Sequence, residues 1–413
     1  MPSKLSNRPK AIIVEAGTGG IATAARLAKS GVDVLVVEKN DFTGGYYSEI
    51  YHNNYKFDRG PTLVILRDFL LWTLDDLRTS LDEEGLISHK CEPNYTVYFH
   101  DQKSVIMSTD NFMKKQLEKW ESNLGYERFL KYLHEGSKRW EFSVKEILNT
   151  NFLTILSALR PRFLGQVVFQ HVFDSMAAHS TFRSIHGHPT ISLLNAFDER
   201  SLSLPFDAAG IFTFLQYSEF TDGIWYPQDG YYEIPKTLMR ISERYGAVYR
   251  LSAPVDKVLV SDDGRATGVK LSSGETIDAD IVVLNPDIKV ISMIPFPIIP
   301  SIFRPIKARL GRDPYCSGLS FYWGMNRTIL ELGSNTIFLA ENYRESFEDI
   351  LKSHIMPNDP CFFITVPSRL DSTAAPEGKE SVIVFIPIGG FGKDQEAEAV
   401  ERARNFIIDT IQK

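Results

Sequence analysis

The chain has 413 residues, of which 43% are hydrophobic, so it can bury a large core, and its length predicts two or three domains. Its formal net charge of −7 and the lack of a long basic run give no electrostatic reason to expect nucleic-acid binding. Three widely separated cysteines form no CxxC pair and no metal-ligand cluster with the histidines, which is typical of reduced thiols in a cytosolic protein.

The first elements predict a dinucleotide-binding unit. Only about ten residues, without an apolar signal core, precede the first strand, so we expect a cytosolic start. An apolar strand (11–14), a glycine-rich turn (15–20), a helix (21–29) and a second strand (34–37) follow, closed by Glu38. Glycines let the backbone approach a diphosphate, the helix N-terminus offers free N–H groups, and the acid can bind a ribose. The series indicates a flavin or nicotinamide enzyme of the α/β class.

One position departs from the Gly-x-Gly-x-x-Gly pattern of such turns. Gly17 and Gly20 fill the second and third glycine positions, but Glu15 fills the first. A residue with a β-carbon strains this tight turn, and a carboxylate near two phosphates adds like-charge repulsion. Either Glu15 turns toward solvent and only weakens binding, or the turn no longer holds a dinucleotide well.

Two more glycine-rich turns follow closely, at residues 40–45 and 58–61, and we expect them to line the same cofactor cleft. Residues 68–89 carry Leu, Trp and acids at helical spacing, which predicts a helix. Residues 95–107 alternate like a strand pair around Asp101 and Gln102.

Residues 110 to about 197 are mostly helical in pattern. Aromatic residues recur every three or four positions in 112–120, 126–140 and 144–156, which favours an aromatic core over a cofactor site. Residues 152–173 predict two helices near a substrate entrance or in the core. Four histidines also lie here, at spacings that fit no usual metal site, so we predict no metal. They are His171, His179, His186 and His188.

The period changes to two after Pro254. Residues 255–260, 267–271 and 276–277 alternate and are separated by Asp-Gly and Ser-Gly turns, which predicts a three-stranded meander. An apolar strand, 281–284, comes next and is followed by Asn285. We interpret this part as the returning piece of the nucleotide-binding domain, so that the helical region is an insertion.

An apolar run at 290–303 contains three prolines and precedes four basic residues, which favours an extended loop. This loop could dip into an anionic membrane face or form a buried connection, and nothing in the sequence separates the two. No segment reaches the roughly 20 unbroken apolar residues of a membrane-spanning helix. Alternating runs at 319–323, 361–366 and 381–387 predict a separate mixed sheet for substrate.

Several motifs carry a resemblance to a known family. They are Gly17-Thr18-Gly19-Gly20, Glu38-Lys39-Asn40, Gly44-Gly45, Phe57-Asp58-x-Gly60-Pro61, Phe214-Leu215-Gln216-Tyr217-Ser218-Glu219 and Gly223-Ile224-Trp225-Tyr226-Pro227. Together they resemble the phytoene desaturases of the fungal and bacterial type, most closely the filamentous-fungal branch. The resemblance runs from about residue 9 to the end of the chain.

The resemblance implies a fold and an activity. The fold is an FAD-binding, Rossmann-like domain of the glutathione-reductase and amine-oxidase kind, with an inserted helical region and a mixed-sheet substrate domain. The implied parts are FAD-binding residues 1–109 and 231–290, a helical substrate- or membrane-facing region 110–230, and an incomplete substrate domain 291–413. The implied activity is FAD-dependent dehydrogenation of a long, lipophilic isoprenoid such as phytoene, by a cytoplasmic protein bound peripherally to a membrane.

The resemblance also assigns cofactor-binding residues. They are Gly17, Thr18, Gly19, Gly20, Glu38, Lys39, Gly44, Gly45, Gly60, Pro61, Thr62 and Val258. The glycine turns would face the phosphates, Glu38 the adenosine ribose, residues 60–62 the isoalloxazine side, and Val258 the adenine. Three acids, Asp207, Glu219 and Asp222, flank an aromatic segment and could stabilise or deprotonate a cationic intermediate. We interpret them instead as solvated surface acids and assign no catalytic residue.

Two more departures from the family bear on function. Tyr46 stands where the family commonly has Arg, which removes a cation that could balance phosphate charge. The chain ends at Lys413 without the further glycine-rich stretch that closes over the flavin in the family, and residues 389–392 do not replace it. Three hypotheses stay open: a carotenoid-type desaturase, a flavin oxidoreductase acting on another terpenoid or an amine, and a truncated relative that does not catalyse.

Overall fold

The computed structural model describes residues 8–60, 63–121, 123–150, 160–161, 163–165, 184–185, 188–189, 213–287, 317–389 and 396–412. The strands are β1 Lys10–Val14, β2 Asp33–Val37, β3 Glu49–His52, β4 Tyr55–Asp58, β5 Ser88–Cys91, β6 Tyr95–Tyr98, β7 Ser104–Met107, β8 Ser184–Ile185, β9 His188–Pro189, β10 Ile224–Pro227, β11 Val248–Arg250, β12 Val255–Val260, β13 Ala266–Leu271, β14 Thr276–Asp278, β15 Ile281–Leu284, β16 Ser317–Met325, β17 Asn335–Phe338, β18 Phe362–Thr365 and β19 Glu380–Ile388. The helices are α1 Thr18–Lys29, α2 Arg67–Asp76, α3 Leu81–Glu84, α4 Asn111–Glu121, α5 Asn123–Phe142, α6 Thr213–Thr221, α7 Glu233–Arg244, α8 Tyr343–Glu348 and α9 Glu396–Ile411.

The described residues divide into two compact units. The first is drawn from Met1–Thr62, Arg67–His89 and Tyr226–Asp313, and the second from Leu63–Leu66, Lys90–Trp225 and Pro314–Lys413. Within the described residues, no helix combines the length and the apolarity that crossing a bilayer requires.

A parallel sheet in the order β11-β2-β1-β15 organises the first unit. Its central strand β1 is buried along Ala11–Val14 and pairs in parallel with both β2 and β15, so that Val14 lies opposite Val37 and Leu284. Such continuous apolar runs are expected where a parallel sheet is covered on both faces. The predicted strand, helix and strand at 11–37 are confirmed, as is the return of the chain to this sheet at 281–284.

Small residues let α1 pack closely. Its buried face consists of Gly20, Ile21, Ala24, Ala25 and Ala28, and the helix packs against α7. Alanine has the highest helix propensity and adds little bulk, so the face is both helix-forming and close-fitting. The start of α1 is thereby held at the carboxyl end of β1.

The predicted meander is confirmed as the antiparallel sheet β12-β13-β14. Val269 and Leu271 of β13 join Ile12, Val14 and Val37 of the parallel sheet in one apolar cluster. Meander and parallel sheet therefore share a core in the first unit.

The second unit contains a six-stranded mixed sheet in the order β16-β19-β18-β17-β6-β7. Buried β18 and β19 side chains form its core with Ala399, Ala403 and Ile407 of α9. The predicted runs at 319–323, 361–366 and 381–387 are all strands of this sheet. The strand pair at 95–107 also lies here, because β6 pairs in parallel with β17, although the sequence grouped it with the nucleotide-binding part.

The helical part of the second unit is built around α5 and α6. Phe129 and Phe220 meet edge to face with ring centroids 5.1 Å apart, and a β-carbon at Gly136 would lie 2.9 Å from the Tyr217 side chain. The predicted helices at 112–120 and 126–140 are confirmed as α4 and α5. Of the predicted helix 144–156, residues 143–148 form a π-helical turn and 151–156 lie outside the described residues, as does the apolar run 290–303.

One helix prediction is partly wrong. Residues 68–89 form α2, the short α3 and the beginning of β5 rather than one helix. The Ser80 side chain accepts a hydrogen bond from the Glu83 N–H and caps α3, and Gly85 ends it with a positive φ of 68°. Ser at an N-cap and Gly after the last turn are the usual boundary residues of helices. The sequence therefore contained the signals that separate α3 from its neighbours.

The close approach of two strands at Gly268 gives a stability test. Gly268 has φ 152°, and a β-carbon on it would collide with the Ile277 carbonyl oxygen of β14. We expect Gly268→Ala to lower the free energy of unfolding by roughly 3 kcal/mol or more, because the colliding atoms are main-chain atoms of paired strands. Urea unfolding followed by circular dichroism measures the loss.

Gly274→Ala is the matched control for Gly268→Ala. Gly274 also has a positive φ, 91°, but a β-carbon there would have nothing within 4 Å. The control should therefore lose only about 1 kcal/mol of stability. Equal losses in the two variants would contradict the steric account.

Candidate functional site

The connectivity of the parallel sheet locates the candidate site. The chain leaves β1 through α1 to reach β2 on one side, while β15 pairs with β1 on the other side. Ligands of such sheets bind beyond the carboxyl ends of the strands, at the point where the connections diverge. The turn at 15–20 follows β1 and Asn285 follows β15, so both lie at this point.

Glycines are required in the first turn because neighbouring atoms leave no room for side chains. A β-carbon on Gly20 would collide with the Glu15 carbonyl oxygen, and one on Gly19 would lie 2.8 Å from Asn285 Oδ1. Gly17 is the N-cap residue of α1 and supplies no side-chain cap. The first N–H groups of a helix have no acceptor within it, and they attract anions.

A buried hydroxyl lies in the same turn. The Oγ1 atom of Thr18 is buried, and no described residue makes a hydrogen bond to it. A buried hydroxyl without a partner is rare in folded proteins and calls for an acceptor or donor. Together with the uncapped N–H groups, it makes the turn a suitable place for phosphate oxygens.

The Glu38 carboxylate binds main-chain groups of the turn. It is only 5% exposed. Its Oε2 accepts a hydrogen bond from the Ala16 N–H at 2.8 Å, and its Oε1 accepts hydrogen bonds from the Asn40 N–H and Nδ2 at 2.9 and 2.7 Å. Glu38 therefore ties the end of β2 to the first glycine turn. Its predicted contact with a ribose stays a prediction.

Glu15 has the conformation that normally requires glycine. Its φ is 76°, in the left-handed region, and its N–H donates to the Val37 carbonyl at 2.8 Å. Its carboxylate lies 3.6 Å from Lys39 Nζ, and its side chain is 25% exposed. Burial raises the pKa of Glu15, the Lys39 ammonium opposes this, and the Glu38 and Asp287 carboxylates add to it. The side chain is thus half-buried and paired with Lys39 rather than turned freely into solvent.

The second glycine turn lies against the first. Gly17 and Gly44 form a parallel bridge, and the Gly44 N–H donates to the Ala16 carbonyl at 2.8 Å. Gly44 and Gly45 have positive φ values of 93° and 59°, and a β-carbon on Gly44 would lie 2.8 Å from the Tyr232 ring. The two turns that the sequence grouped together are therefore adjacent.

The third turn contacts the second. A β-carbon on Gly60 would collide with the Tyr46 carbonyl oxygen, so Gly60 packs directly on the main chain after Gly45. The Tyr46 side chain itself is 79% exposed. Pro61 and Thr62, which were also predicted to bind cofactor, lie outside the described residues. Val258 is buried in the meander opposite Val269, and its predicted contact with adenine stays a prediction.

Asp58, at the start of this turn, is a buried acid to which the sequence analysis assigned no role. Its Oδ2 accepts a hydrogen bond from the Tyr226 hydroxyl at 2.7 Å, and its Oδ1 accepts one from the Tyr231 N–H at 2.8 Å. Burial raises the pKa of Asp58 to about 6, against these two donors. Asp58 fixes β4 to the segment that begins α7. The position of Asp58 at the start of the third glycine turn was the available signal.

The acids around the aromatic segment differ in environment. Glu219 is fully buried in α6, and its Oε2 accepts a hydrogen bond from the Tyr95 hydroxyl at 3.2 Å, so its interpretation as a surface acid is wrong. Asp222 is exposed, and Asp207 lies outside the described residues.

Among the histidines, His188 is in β9 and the other three lie outside the described residues. Within the described part of the chain, no group of three or more His, Cys, Asp or Glu is arranged to hold a metal ion.

These features fit a dinucleotide. Three glycine turns bring main chain close together, the start of α1 offers N–H groups, and Thr18 Oγ1 is a buried polar atom without a partner among the described residues. Glu15 is the one residue of the turn that opposes a diphosphate, because it brings a carboxylate there.

Comparisons with known proteins agree with this fit. The family model for flavin containing amine oxidoreductase matches residues 18–405. A phytoene desaturase of Cercospora nicotianae is 43% identical over 394 residues, which are 94% of this chain and 62% of that protein. A phytoene desaturase of Neurospora crassa is 40% identical over 426 residues, covering 98% of this chain and 71% of that protein. This chain thus spans less than two thirds of the Cercospora relative.

A solved structure supports the fold. A putrescine oxidase variant with a redesigned cofactor-binding site superposes with a TM-score of 0.58 at 14% identity, covering 96% of this chain and 79% of that one. The predicted amine-oxidase-like fold is therefore confirmed, and the family model indicates a flavin as the class of cofactor. The chain belongs to the flavin-containing amine oxidoreductases and, among them, to the phytoene desaturase family.

Proposed function

We propose that this chain acts as an FAD-dependent desaturase that dehydrogenates a long isoprenoid such as phytoene in carotenoid biosynthesis. The observation that carries the proposal is the turn at the carboxyl end of β1, where Gly17, Gly19 and Gly20 lie beside a buried Thr18 hydroxyl to which no described residue makes a hydrogen bond. The phytoene desaturases at 43% and 40% identity supply the substrate class.

The residues of the first unit have distinct proposed roles toward FAD. Main-chain N–H groups at Gly17 to Gly20 bind the diphosphate, and Gly44 and Gly45 let the second turn approach it. Glu38 positions the first turn through Ala16 and uses its remaining lone pair for the ribose. When bound, FAD supplies the acceptor for a hydride taken from a saturated carbon–carbon unit. Residues 60–62 and Val258 are proposed to lie beside the isoalloxazine and the adenine.

The helical part of the second unit suits an apolar substrate. Phe142 and Phe214 are buried there, and Leu66, Trp140 and Phe163 pack on them while keeping part of their surface exposed. A hydrocarbon offers no group to ionise, so a site for it needs apolar walls and exclusion of water. We propose that these residues contribute to binding the isoprenoid, and that the protein takes it up from a membrane surface to which it binds peripherally.

A second candidate function is favoured by Glu15. Its carboxylate lies in the turn that would bind the diphosphate, and its left-handed φ adds strain to that turn. A relative that holds FAD poorly and does not catalyse would show these features. The two candidates differ first in whether the purified protein retains a flavin.

The proposed function predicts a coloured protein and coloured cells. We expect the purified full chain to carry the absorbance band of oxidised flavin, and cells that accumulate phytoene to form coloured polyenes when they express it. Absorbance spectra and chromatography of extracted pigments measure both. A flavin-containing protein without any change in pigment would contradict the carotenoid substrate, and a colourless protein that FAD fails to stabilise would contradict the enzyme.

Gly19→Leu is the variant to test in the same cells. Gly19 is exposed, and the three atoms nearest to a β-carbon there all belong to the Asn285 side chain, which can rotate away, so the variant should fold yet lose the flavin and the pigment. Gly31→Leu, just beyond the other end of α1, is its matched control: a β-carbon there would have nothing within 4 Å, and its positive φ of 86° costs only about 1 kcal/mol of stability. It should retain both.

Glu15 variants separate backbone strain from charge. We expect Glu15→Gly and Glu15→Gln each to tighten FAD binding about tenfold, because both remove a carboxylate next to the diphosphate, a change of about 1.4 kcal/mol. Only Glu15→Gly should also raise the free energy of unfolding, by about 1 kcal/mol, because only glycine relieves the left-handed φ. Flavin fluorescence titrations and urea unfolding measure the two quantities.

The pH dependence of binding provides the control for the Glu15 variants. Because burial raises the pKa of Glu15, lowering the pH neutralises its carboxylate earlier than that of an ordinary Glu. Affinity of the unmodified protein for FAD should therefore rise as the pH falls through this titration, and the advantage of both variants should shrink. Equal affinities of all three proteins at pH 8 would show that the turn tolerates the carboxylate.

A further inference from the structure

Asn285 occupies a fixed position at the candidate site. It is the first residue after β15, and its main-chain N–H donates to the Val14 carbonyl at 3.1 Å. This hydrogen bond continues the parallel pairing of β15 with β1 by one residue. The Asn285 side chain is thereby placed where the connections of the sheet diverge, next to the turn that starts α1.

The amide group of Asn285 lies on the glycine turn. Its Nδ2 atom is 3.3 Å from the positions that β-carbons on Gly17 and Gly20 would take, and its Oδ1 atom is 2.8 Å from that of Gly19. The glycines therefore leave space for this amide. No other side chain is recorded within 4 Å of all three positions among the described residues.

The Asn285 amide has hydrogen-bonding capacity that the described residues do not use. An amide side chain carries two donors and an acceptor. Among the described residues, none makes a hydrogen bond to the Asn285 side chain, which is half-buried. The charged groups around Glu15 are the Lys39 ammonium, which pairs with it, and the carboxylates of Glu38 and Asp287. With three carboxylates in this neighbourhood against one ammonium, a neutral amide donor adds a hydrogen bond for an anion without adding negative charge.

We propose that Asn285 is a cofactor-binding residue whose Nδ2 donates a hydrogen bond to the diphosphate of the dinucleotide, beside the N–H groups at the start of α1. The proposal rests on the proposed function, because it assumes FAD as the ligand. It adds a contact from β15 to those expected from the glycine motif after β1. The two strands at the divergence point then bind the diphosphate from both sides.

A structural role would instead make Asn285 a cap for α1. Gly17 supplies no side chain for this purpose, and the amide lies close to the first turn of the helix. The two roles predict different losses. A cap contributes to the stability of the ligand-free protein, whereas a ligand contact contributes only to affinity.

The test uses the full chain with two substitutions. FAD binding is measured by quenching of flavin fluorescence, and ADP, which carries the diphosphate without the flavin, is titrated by calorimetry. We expect Asn285→Asp to weaken both ligands by more than about tenfold, because a carboxylate replaces the donor, and Asn285→Ala to weaken them by about three- to tenfold. Thermal unfolding midpoints of the ligand-free proteins should stay unchanged.

Asn54→Asp is the matched control, because it makes the same chemical change at an exposed residue in the turn between β3 and β4. Its affinities should stay within about twofold of the original. If Asn285→Asp binds FAD and ADP as well as Asn54→Asp does, the inference is overturned while the proposed function stands. A fall in the ligand-free midpoint that accounts for the weaker binding also overturns it, in favour of a cap. An unmodified protein that binds neither ligand overturns the proposed function itself.

Discussion

The contact between Gly20 and the Glu15 carbonyl determines how the first unit is built. A β-carbon on Gly20 would collide with that oxygen, so the start of α1 and the end of β1 touch main chain to main chain. The buried face of α1 consists mostly of glycine and alanine, and β1 is an apolar strand. The helix and the strand can therefore approach each other this closely. Once the turn is closed, Gly17 bridges Gly44, and Gly60 in turn packs on the residue after Gly45. The three glycine turns, which are separate in sequence, therefore lie against one another, starting from the contact between Gly20 and Glu15.

Two buried carboxylates hold these turns by similar means. Glu38 accepts hydrogen bonds from Ala16 and Asn40, and Asp58 accepts them from Tyr226 and Tyr231. Glu38 directly follows β2 and Asp58 is the last residue of β4, and each binds donors that lie outside its own strand. Such hydrogen bonds to a charged acceptor are stronger than neutral ones. Glu15 differs from both, because its carboxylate is paired with the half-exposed Lys39 and holds no loop.

Local patterns predicted most elements, whereas long-range pairing had no local signal. The βαβ start, the meander and the strands of the mixed sheet follow from hydrophobic period and turn residues. The hairpin at 95–107 was recognised, but its pairing with β17 depends on residues about 240 positions away, as for Thr96 and Thr336. The burial of Glu219 and the position of the Asn285 amide depend likewise on tertiary contacts. Composition and spacing predict single helices and strands. They could not predict the burial of Glu219 or the position of the Asn285 amide, because both depend on contacts between different elements.

The parallel pairing of β6 with β17 also has a consequence for synthesis on the ribosome. The hairpin β6–β7 is complete early, yet the edge of β6 that β17 covers stays unpaired until residue 338 has emerged. Unpaired strand edges are sites of aggregation, and distant pairings form slowly. Tyr98 on this edge stacks on Phe338 in the finished sheet, so an aromatic ring is exposed for the same period. The nascent chain therefore passes through a stage in which chaperone binding at β6 would be protective.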